Sequence, residues 1–306
     1  MAGDTFRRVH FDLARGRMAG IAWGDATRAP DILFIHATGM NAMTYRSVLQ
    51  PLGERFHVLA IDVRGHGLTE LPAKRWGYSS WNRHRDDVIE LIETYLKAPL
   101  TLAGHSMGAT VSLLIAGKRP HLARALAMID PVIMPPGRYQ TLDLPFAPTL
   151  MMSATPIVRG ARRRRATFES KDAAFEALKG RGFFKTFPEQ TLRDYIEDGF
   201  VDDGQGGVRL ACSPAYEAAT FSAQRNNPWA ALMRAPKSLV VLRAETNSTI
   251  SVACANRIKS QRPEARIATI AGSTHALPME RPDRARAAIE TAHVMATGGA
   301  AYVDLE

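Results

Sequence analysis

A serine stands between two glycines in the segment Gly104-His-Ser-Met-Gly108, where it could act as a nucleophile. The segment follows an apolar run that predicts a strand and opens a run that predicts a helix, which is the setting of a G-x-S-x-G nucleophile elbow. Larger side chains would clash at the glycine positions of such a tight turn, and the turn holds the serine hydroxyl at the end of the strand. We therefore expect Ser106 to be the nucleophile of a covalent mechanism.

A base must accompany this serine, because a serine hydroxyl is a weak nucleophile at neutral pH. Histidine titrates in the right range to take its proton, and the chain contains nine histidines. Only His275 lies in a loop between the last predicted strand and the final predicted helix, within the segment Gly272-Ser-Thr-His-Ala-Leu-Pro-Met-Glu-Arg-Pro282. The sequence therefore favours His275 as the general base.

The elements that would position these residues alternate between strands and helices. Short, almost wholly apolar runs recur between helical patterns, as is typical of parallel strands covered on both faces. These runs span residues 31–36, 56–62, 100–104 and 124–130. Residues 81–96 place apolar side chains at spacings of three and four, which predicts an amphipathic helix, and residues 108–117 predict a helix that is apolar all round. A hairpin of two strands, 8–13 and 18–23, precedes them.

The alternation is interrupted once, for about a hundred residues. Residues 136–236 are rich in methionine, phenylalanine and arginine and contain helical patterns, so they predict an inserted helical module. Strand patterns resume at residues 238–243 and 265–270, and a final helical pattern follows. The predicted organisation is a core of residues 1–135 and 237–306 with this insert between them.

Together these features resemble the α/β-hydrolase superfamily. The segments His36-Ala-Thr-Gly-Met40 after the third strand and Asp62-Val-Arg-Gly-His-Gly67 after the fourth, the elbow and the histidine loop stand in the order of that family. The resemblance covers everything but the insert, which sits where relatives carry a cap domain. It implies an α/β fold with a mostly parallel central sheet flanked by helices and an inserted helical cap. We expect the cap to lie as a lid over the carboxyl ends of the strands. Five of its apolar residues would then offer apolar surface to the substrate, although packing within the lid is the favoured role for any one of them: Met151, Met152, Phe183, Phe184 and Phe187.

The resemblance also implies an oxyanion hole, the pair of backbone donors that stabilises a tetrahedral intermediate. In the family, one donor is the second residue after the histidine that opens the loop following strand three, which here is Thr38. The other is the amide directly after the nucleophile, that of Met107. The glycine usual in this loop is replaced by Ala37, so Gly39 or Met40 remains as an alternative donor.

The acid of the predicted triad has two candidate positions. Most relatives place an aspartate after strand seven in a G-x-x-D pattern, but this chain has Glu245 two residues early and Asn247 at the expected place. Another branch places its acid directly after strand six, where Asp130 precedes Pro131. We favour Asp130 and keep Glu245 as the alternative, with a dyad completed by Asn247 or water as the third possibility. Asp130 could instead cap the turn before the proline.

The composition excludes several other classes of protein. Lysine and arginine number 39 against 30 acidic residues, and residues 162–165 are all arginine. No nucleic-acid motif accompanies this run, so we interpret it as a solvated surface and expect no nucleic-acid partner. Cys212 and Cys254 lack the spacing of a disulfide framework or a metal site, and we expect no cofactor and no metal. The absence of a signal-peptide or membrane-span pattern favours a cytoplasmic protein, and the sequence leaves the oligomeric state open.

A serine nucleophile selects acyl transfer from a carbonyl substrate, whereas the dehalogenases and epoxide hydrolases of the superfamily attack with an aspartate. The sequence therefore predicts hydrolysis of a carboxylic ester or lactone through an acyl-enzyme on Ser106. One alternative is hydrolysis of a carbon–carbon bond in a diketone-like substrate by the same serine and histidine. Another, from a different class, is a non-catalytic binding protein that reuses the pocket. In each case the expected partner is a small molecule, for the enzyme one that carries an acyl group.

Overall fold

The computed structural model describes residues 6–97, 99–142, 152 and 154–298. In these ranges the chain forms eleven strands. They are β1 (Phe6–Leu13), β2 (Gly16–Trp23), β3 (Ile32–Ile35), β4 (Val58–Ile61), β5 (Leu100–His105), β6 (Ala123–Ile129), β7 (Thr167–Phe168), β8 (Phe200–Asp202), β9 (Val208–Leu210), β10 (Leu239–Ala244) and β11 (Arg266–Ile270).

Eight of these strands form one sheet in the order β1-β2-β4-β3-β5-β6-β10-β11. The strands β1, β2 and β4 pair antiparallel, whereas every pairing from β4 to β11 is parallel. The remaining strands form a small antiparallel sheet in the order β7-β9-β8. The large sheet is therefore the mostly parallel sheet that the resemblance implies, and it opens with the hairpin expected near the start of the chain.

The apolar runs of the sequence form the middle of the large sheet. Every residue of β3, β4 and β5 is buried, because helices cover both faces and such strands have no solvent side on which polar residues would alternate. The edge strand β1, by contrast, exposes about half of its side chains. Because parallel strands point the same way, the loops that follow β3, β5, β6, β10 and β11 meet at one edge of the sheet.

The helices alternate with the strands as expected. They are α1 (Arg46–Leu49), α2 (Asn82–Leu91), α3 (Met107–Lys118), α4 (Pro136–Leu142), α5 (Pro156–Arg162), α6 (Lys171–Leu178), α7 (Glu189–Gly199), α8 (Pro214–Ser222), α9 (Pro228–Leu232), α10 (Val252–Gln261), α11 (Leu277–Glu280) and α12 (Pro282–Thr297). Short 3₁₀ turns occur at Met43–Tyr45, Pro51–Glu54, Pro120–Leu122 and Gly182–Thr186. The helix expected over residues 81–96 is α2, continued by the π-helical turn Ile92–Leu96. Among the described residues, no helix is both long and apolar enough to cross a membrane.

Each face of the large sheet has its own apolar core. One core includes side chains of α2, α3 and α10, such as Val88, Leu113 and Ile258. The other includes side chains of α1 and α12, such as Leu49 and Ile289. The sheet is thereby buried on both sides, so the loops at the ends of its strands are where polar groups can meet a ligand.

The chain leaves the large sheet after β6 and returns to it at β10. Helices α4 to α9 and the small sheet lie between these strands, whereas the sequence predicts a module that is only helical. The strands of the small sheet have two or three residues each, which is too short to leave an alternating pattern in the sequence.

The last helix of the insert, α9, packs against α3 of the core. A Cβ added at Gly117 would lie 2.5 Å from the Cβ of Ala231, so the two helices approach closely. The indole N–H of Trp229 donates a hydrogen bond to the Met134 carbonyl at 2.8 Å. This helix therefore belongs to one face of the large sheet, and the boundary of the cap at residue 236 stays a prediction.

Candidate active site

Ser106 forms the whole turn between β5, which ends at His105, and α3, which begins at Met107. Its φ of 54° and ψ of −117° lie in a region that costs an ordinary residue about 1–3 kcal/mol. Glycine is required beside it, because a Cβ at Gly108 would overlap the carbonyl oxygen of Ile35. The turn therefore holds the Ser106 hydroxyl at the carboxyl end of the sheet.

The imidazole of His275 lies between Ser106 and Asp130. Its Nε2 atom is 3.0 Å from Ser106 Oγ, and its Nδ1 atom is 2.6 Å from Asp130 Oδ2. The Ser106 residue is 6% exposed and the His275 side chain 20% exposed, whereas the Asp130 side chain is fully buried. The structure thus brings together the three residues that the sequence favours as nucleophile, base and acid.

Asp130 directly follows β6 and is held by groups from the last residue of the neighbouring strand β10 and from the loop after it. Its Oδ1 atom accepts hydrogen bonds from the Ala244 amide at 2.9 Å and from Ser248 Oγ at 2.5 Å. Its Oδ2 atom accepts one from the Thr249 amide at 3.1 Å. Burial raises the pKa of the Asp130 carboxyl, but the hydrogen bond to His275, its charge and these donors outweigh burial and lower that pKa. The carboxylate is therefore stabilised in its charged form.

The other two residues considered for the acid do not reach the imidazole. Glu245 is exposed, and its Oε2 atom accepts a hydrogen bond from the Gly272 amide at 2.8 Å. Asn247 is also exposed and has a left-handed φ of 53°, so it serves the turn after β10. The position where most relatives carry an aspartate therefore has no carboxylate directed at His275.

Replacing Glu245 with glutamine should leave kcat/KM within about threefold of the wild-type value. An exposed side chain without a special role changes free energies by no more than about 0.5 kcal/mol, and glutamine keeps an oxygen for the Gly272 amide. Steady-state kinetics on the same substrate as for an Asp130 variant would check this. A thousandfold loss in Glu245→Gln would mean that the acid stands at position 245.

The predicted oxyanion donors are the amides of Thr38 and of Met107, the residue directly after Ser106. Among the described residues, neither the Thr38 nor the Met107 amide has a hydrogen-bond acceptor, so both are free to donate to a ligand. Their side chains touch, with Thr38 Oγ1 3.4 Å from Met107 Sδ. The Met40 amide donates to the Ala37 carbonyl at 3.1 Å and is therefore engaged, whereas the Gly39 amide has no acceptor in the described part of the chain. The amides of Thr38, Gly39 and Met107 thus remain candidates, and the role of Thr38 and Met107 in an oxyanion hole stays a prediction.

His36 shapes the loop that carries Thr38. Its Nε2 atom accepts a hydrogen bond from the Val63 amide at 3.0 Å, and its Nδ1 atom lies 2.7 Å from the Ala37 carbonyl. Since an amide N–H only donates and a carbonyl only accepts, the proton of this ring is on Nδ1. The histidine therefore connects the loops after β3 and β4 and leaves no free nitrogen for a substrate.

Two contacts of the insert with the carboxyl edge of the large sheet lie close to the candidate site. Asn41, in the loop after β3, donates a hydrogen bond from Nδ2 to the Tyr195 carbonyl of α7 at 2.8 Å. The ring of Phe183 lies 6.2 Å from the ring of His275, measured between centroids. Part of the insert thus lies beside the candidate site, and its movement as a lid stays a prediction.

The apolar residues expected to face the substrate have different surroundings. Phe183 is 40% exposed beside His275, and it is the one that adjoins the reacting groups. Phe184 and Phe187 pack on each other with centroids 5.2 Å apart, inside the insert. Met152 is half-buried, and Met151 lies outside the described residues. A substrate-facing role is therefore best supported for Phe183.

Sequence reasoning missed the residues that support the site from behind. Ser248 and Thr249 hold Asp130, and they stand in an ordinary loop composition that carries no signal of this contact. Tyr45 and His105 are buried and hydrogen-bonded to each other at 2.8 Å. The available signal was His105 itself, a polar residue at the last position of a buried apolar strand.

Comparisons with known proteins give several similar chains. The 2-(acetamidomethylene)succinate hydrolase of Mesorhizobium japonicum is 29% identical over 248 residues, which cover 80% of this chain and 81% of that protein. The (E)-2-((N-methylformamido)methylene)succinate hydrolase of Acinetobacter baylyi is 29% identical over 104 residues, 33% of this chain and 37% of that protein. The crystal structure of E-2-(acetamidomethylene)succinate hydrolase superposes with a TM-score of 0.75 at 26% identity, and the match covers 93% of this chain and 98% of that one.

A sequence model described as the alpha/beta hydrolase family matches residues 32–288, which is most of the chain. This span includes β3 to β11, the Ser106 turn and the His275 loop. The strand order of the large sheet and the turn at Ser106 agree with this match. The chain therefore belongs to the α/β-hydrolase family.

Proposed function

We propose that the protein is a serine hydrolase in which Ser106 is the nucleophile, His275 the general base and Asp130 the acid that orients the imidazole. The observation that carries the proposal is the double hydrogen bond of the His275 ring, to Ser106 Oγ at 3.0 Å and to the Asp130 carboxylate at 2.6 Å. A carboxylate only accepts, so the ring proton lies on Nδ1 and Nε2 is left with the lone pair that a base requires.

The first half of the reaction forms an acyl-enzyme. Ser106 Oγ bonds to the acyl carbon while its proton passes to His275 Nε2, and the acyl oxygen becomes negative. The amides of Thr38 and Met107 donate hydrogen bonds to this oxygen. His275 then gives the proton to the leaving atom, the bond to that atom breaks, and the acyl group stays on Ser106 as an ester.

The second half releases the acid. A water molecule gives a proton to His275 Nε2 and adds to the acyl carbon, and the oxygen of Ser106 leaves as it takes the proton back. Asp130 stabilises the cationic imidazole in both halves. Because the carboxylate is buried and held by several donors, its charge stays close to the ring throughout.

For the substrate, the comparisons favour the second interpretation of the sequence over simple ester hydrolysis. The two succinate hydrolases are named for substrates that carry an acyl-nitrogen group conjugated through a carbon–carbon double bond, and the names contain no ester. Such compounds share with diketone-like substrates a leaving atom whose negative charge spreads into a conjugated carbonyl system. We therefore propose a substrate whose acyl group is bonded to a nitrogen or carbon atom that is conjugated with a carbonyl group. This atom is the leaving atom, in place of the oxygen of an alcohol.

A non-catalytic binding protein on the same fold has less support. Such a protein has no use for a buried carboxylate that is held by backbone and hydroxyl donors behind a histidine. It also has no use for a serine in a strained turn whose neighbouring amide, that of Met107, has no acceptor among the described residues. These features fit a reaction in which negative charge develops next to Ser106.

A panel of three substrates tests which kind of bond the protein hydrolyses. We expect kcat/KM for (E)-2-(acetamidomethylene)succinate or a vinylogous diketone acid to exceed that for 4-nitrophenyl acetate by about a hundredfold or more, the scale on which site contacts discriminate substrates. The Ser106→Ala variant, purified in the same way, serves as the control for contaminating hydrolases. A simple ester as the best substrate would return the assignment to ester hydrolysis, and the diketone acid as the best would select carbon–carbon cleavage.

A further inference from the structure

A buried histidine lies directly behind the nucleophile, and the proposed reaction does not use it. His105 is fully buried at the end of β5. Its Nδ1 atom lies 2.8 Å from the Tyr45 hydroxyl, and its Nε2 atom lies 2.8 Å from the backbone carbonyl oxygen of His275. A buried polar group is costly unless its hydrogen bonds are made, and both nitrogens of this ring have a partner.

One arrangement of protons satisfies the whole set of hydrogen bonds. The Tyr45 hydroxyl accepts from the Ala37 amide at 3.1 Å, so its own proton is directed to Nδ1 of His105. His105 then carries its proton on Nε2 and donates it to the His275 carbonyl, which can only accept. Burial and the neighbouring His275 lower the pKa of His105 to about 3, so the ring is neutral near pH 7.

The two ends of this hydrogen-bonded chain lie in the backbone of the candidate site. At one end, Ala37 precedes Thr38, whose amide is the proposed oxyanion donor. At the other end is the peptide of His275, the proposed base. The Ala37 carbonyl, which shares a peptide unit with the Thr38 amide, is also held by His36 Nδ1 at 2.7 Å, so Ala37 is held at both its amide and its carbonyl. The hydrogen bonds therefore connect two segments whose relative position determines where charge can be stabilised.

We propose that Tyr45 and His105 are positioning residues: the hydrogen-bonded chain from the Ala37 amide to the His275 carbonyl sets the distance between the oxyanion loop and the base. The inference rests on the proposed function, since it concerns groups that act in that reaction. Neither side chain has a described hydrogen bond to the reacting atoms, although the His105 ring packs on the His275 ring with centroids 4.8 Å apart. A misplacement of about 1 Å can cost a hundredfold in rate, so losing this chain should slow the chemical step more than it weakens substrate binding.

The first test is Tyr45→Phe, which removes only the hydroxyl and keeps the ring packed on Phe34, 4.7 Å away between centroids. The readout is labelling by a fluorophosphonate, in which Ser106 Oγ bonds to phosphorus, fluoride leaves, and the serine proton passes to His275. We expect the labelling rate to fall by about tenfold or more. With any turned-over substrate, kcat should fall by a similar factor while KM stays within about twofold.

Tyr139→Phe is the matched control. The Tyr139 hydroxyl is also buried and accepts from a backbone amide, that of Met134, at 3.1 Å. Its loss should lower the melting temperature less than Tyr45→Phe does, because the hydrogen bond to the Met134 amide is only partly buried and the Tyr45 hydroxyl also donates to His105. The labelling rate of this control should stay at the wild-type value. A difference between the two variants in labelling, at equal folded fraction, therefore reports positioning and not stability.

Two results separate this inference from the proposed function. A folded wild-type protein that the probe does not label would refute the proposed function itself. A labelled wild-type protein with Tyr45→Phe labelled at the same rate, or with equal losses in Tyr45→Phe and Tyr139→Phe, would overturn the positioning role alone.

Substitution of His105 tests each hydrogen bond separately. His105→Gln keeps an amide nitrogen near the place of Nε2, and His105→Asn keeps an amide oxygen near the place of Nδ1. If the chain acts as a unit, each variant slows labelling about as much as Tyr45→Phe. The double variant of His105→Gln with Tyr45→Phe should then be no slower than His105→Gln. Losses that multiply in the double variant would contradict a single unit.

The proton arrangement has its own spectroscopic test, which does not depend on activity. In nitrogen-15 NMR of the wild-type protein at neutral pH, His105 should have a protonated Nε2 and an unprotonated Nδ1. The opposite tautomer would mean that the ring does not receive the Tyr45 proton, and this would overturn the proposal.

Discussion

Replacing Ser106 with alanine is expected to reduce kcat by about a millionfold, the scale on which the loss of such a nucleophile acts, while the fold stays intact. The side-chain hydroxyl has one described hydrogen bond, to His275 Nε2, and that nitrogen belongs to a partly exposed ring that water can reach. Alanine also keeps the Cβ atom, so the strained turn is neither relieved nor worsened. The melting temperature should therefore change by no more than about 2 °C.

The measurement is turnover and fluorophosphonate labelling of purified protein. Ser112→Ala is a useful control, because Ser112 lies on α3, the helix that begins directly after Ser106, and its buried hydroxyl donates to the Gly108 carbonyl at 3.0 Å. That variant should stay within about threefold of wild-type activity. Turnover by Ser106→Ala above the rate without enzyme would place the nucleophile elsewhere.

His275→Ala is expected to be about as inactive as Ser106→Ala, because the two groups act as one unit and their losses do not add. The variant with both substitutions should therefore be no slower than either single variant. A double variant whose loss equals the product of the two single losses would contradict the proposed proton transfer between them.

Asp130→Asn is expected to reduce kcat by about ten-thousandfold, as the same change does at the acid of a serine protease. The amide cannot supply the negative charge that stabilises the cationic form of His275 after it has taken the serine proton. It also permits the imidazole tautomer with its proton on Nε2, which cannot act as a base toward Ser106.

The hydrogen bonds around Asp130 predict that Asp130→Asn also lowers the free energy of unfolding. One oxygen accepts from the Ala244 amide and the other from the Thr249 amide, so the NH₂ group of asparagine faces a backbone donor in either orientation. A buried donor left without an acceptor costs about 1–3 kcal/mol in the free energy of unfolding. Denaturant unfolding measures this loss, and activity is then compared at equal folded fraction.

Glu245→Gln is the matched control for this change, because it makes the same substitution of an amide for a carboxylate in the next loop. The contrast between a loss of about ten-thousandfold at position 130 and almost none at position 245 would identify the acid. A loss of less than about tenfold in Asp130→Asn would mean that the residue serves only to cap the turn before Pro131.

Local patterns made part of this site predictable from the sequence. The serine turn depends on five consecutive residues and on the apolar runs before and after them. The sequence around Ser106 is therefore nearly sufficient to predict this turn. The parallel strands were also predictable, because burial on both faces leaves continuous apolar runs in the sequence. His275 could be singled out by its place between the last strand and the last helix.

Tertiary contacts explain what sequence reasoning left open. The choice between Asp130 and Glu245 depends on which carboxylate receives hydrogen bonds from the end of β10 and the loop after it. Asp130 receives them, and the donors lie more than a hundred positions away from it in the sequence. The contact between Tyr45 and His105 spans 60 positions and follows no periodicity. The small sheet of the insert has strands too short for a pattern, and the packing of α9 on α3 depends on a close approach at Gly117.

The spacing of the triad along the chain also has a consequence during protein synthesis. Ser106 and His275 are 169 positions apart, and Asp130 receives donors from a loop that follows β10. At a ribosomal speed of about 5–20 residues per second, the serine is made roughly ten to thirty seconds before its base. Throughout that interval the nascent chain holds the proposed nucleophile without the proposed base. The proposed triad can assemble only after the chain through His275 has been made, so turnover by a nascent chain would report that β10 and the loop after β11 are in place.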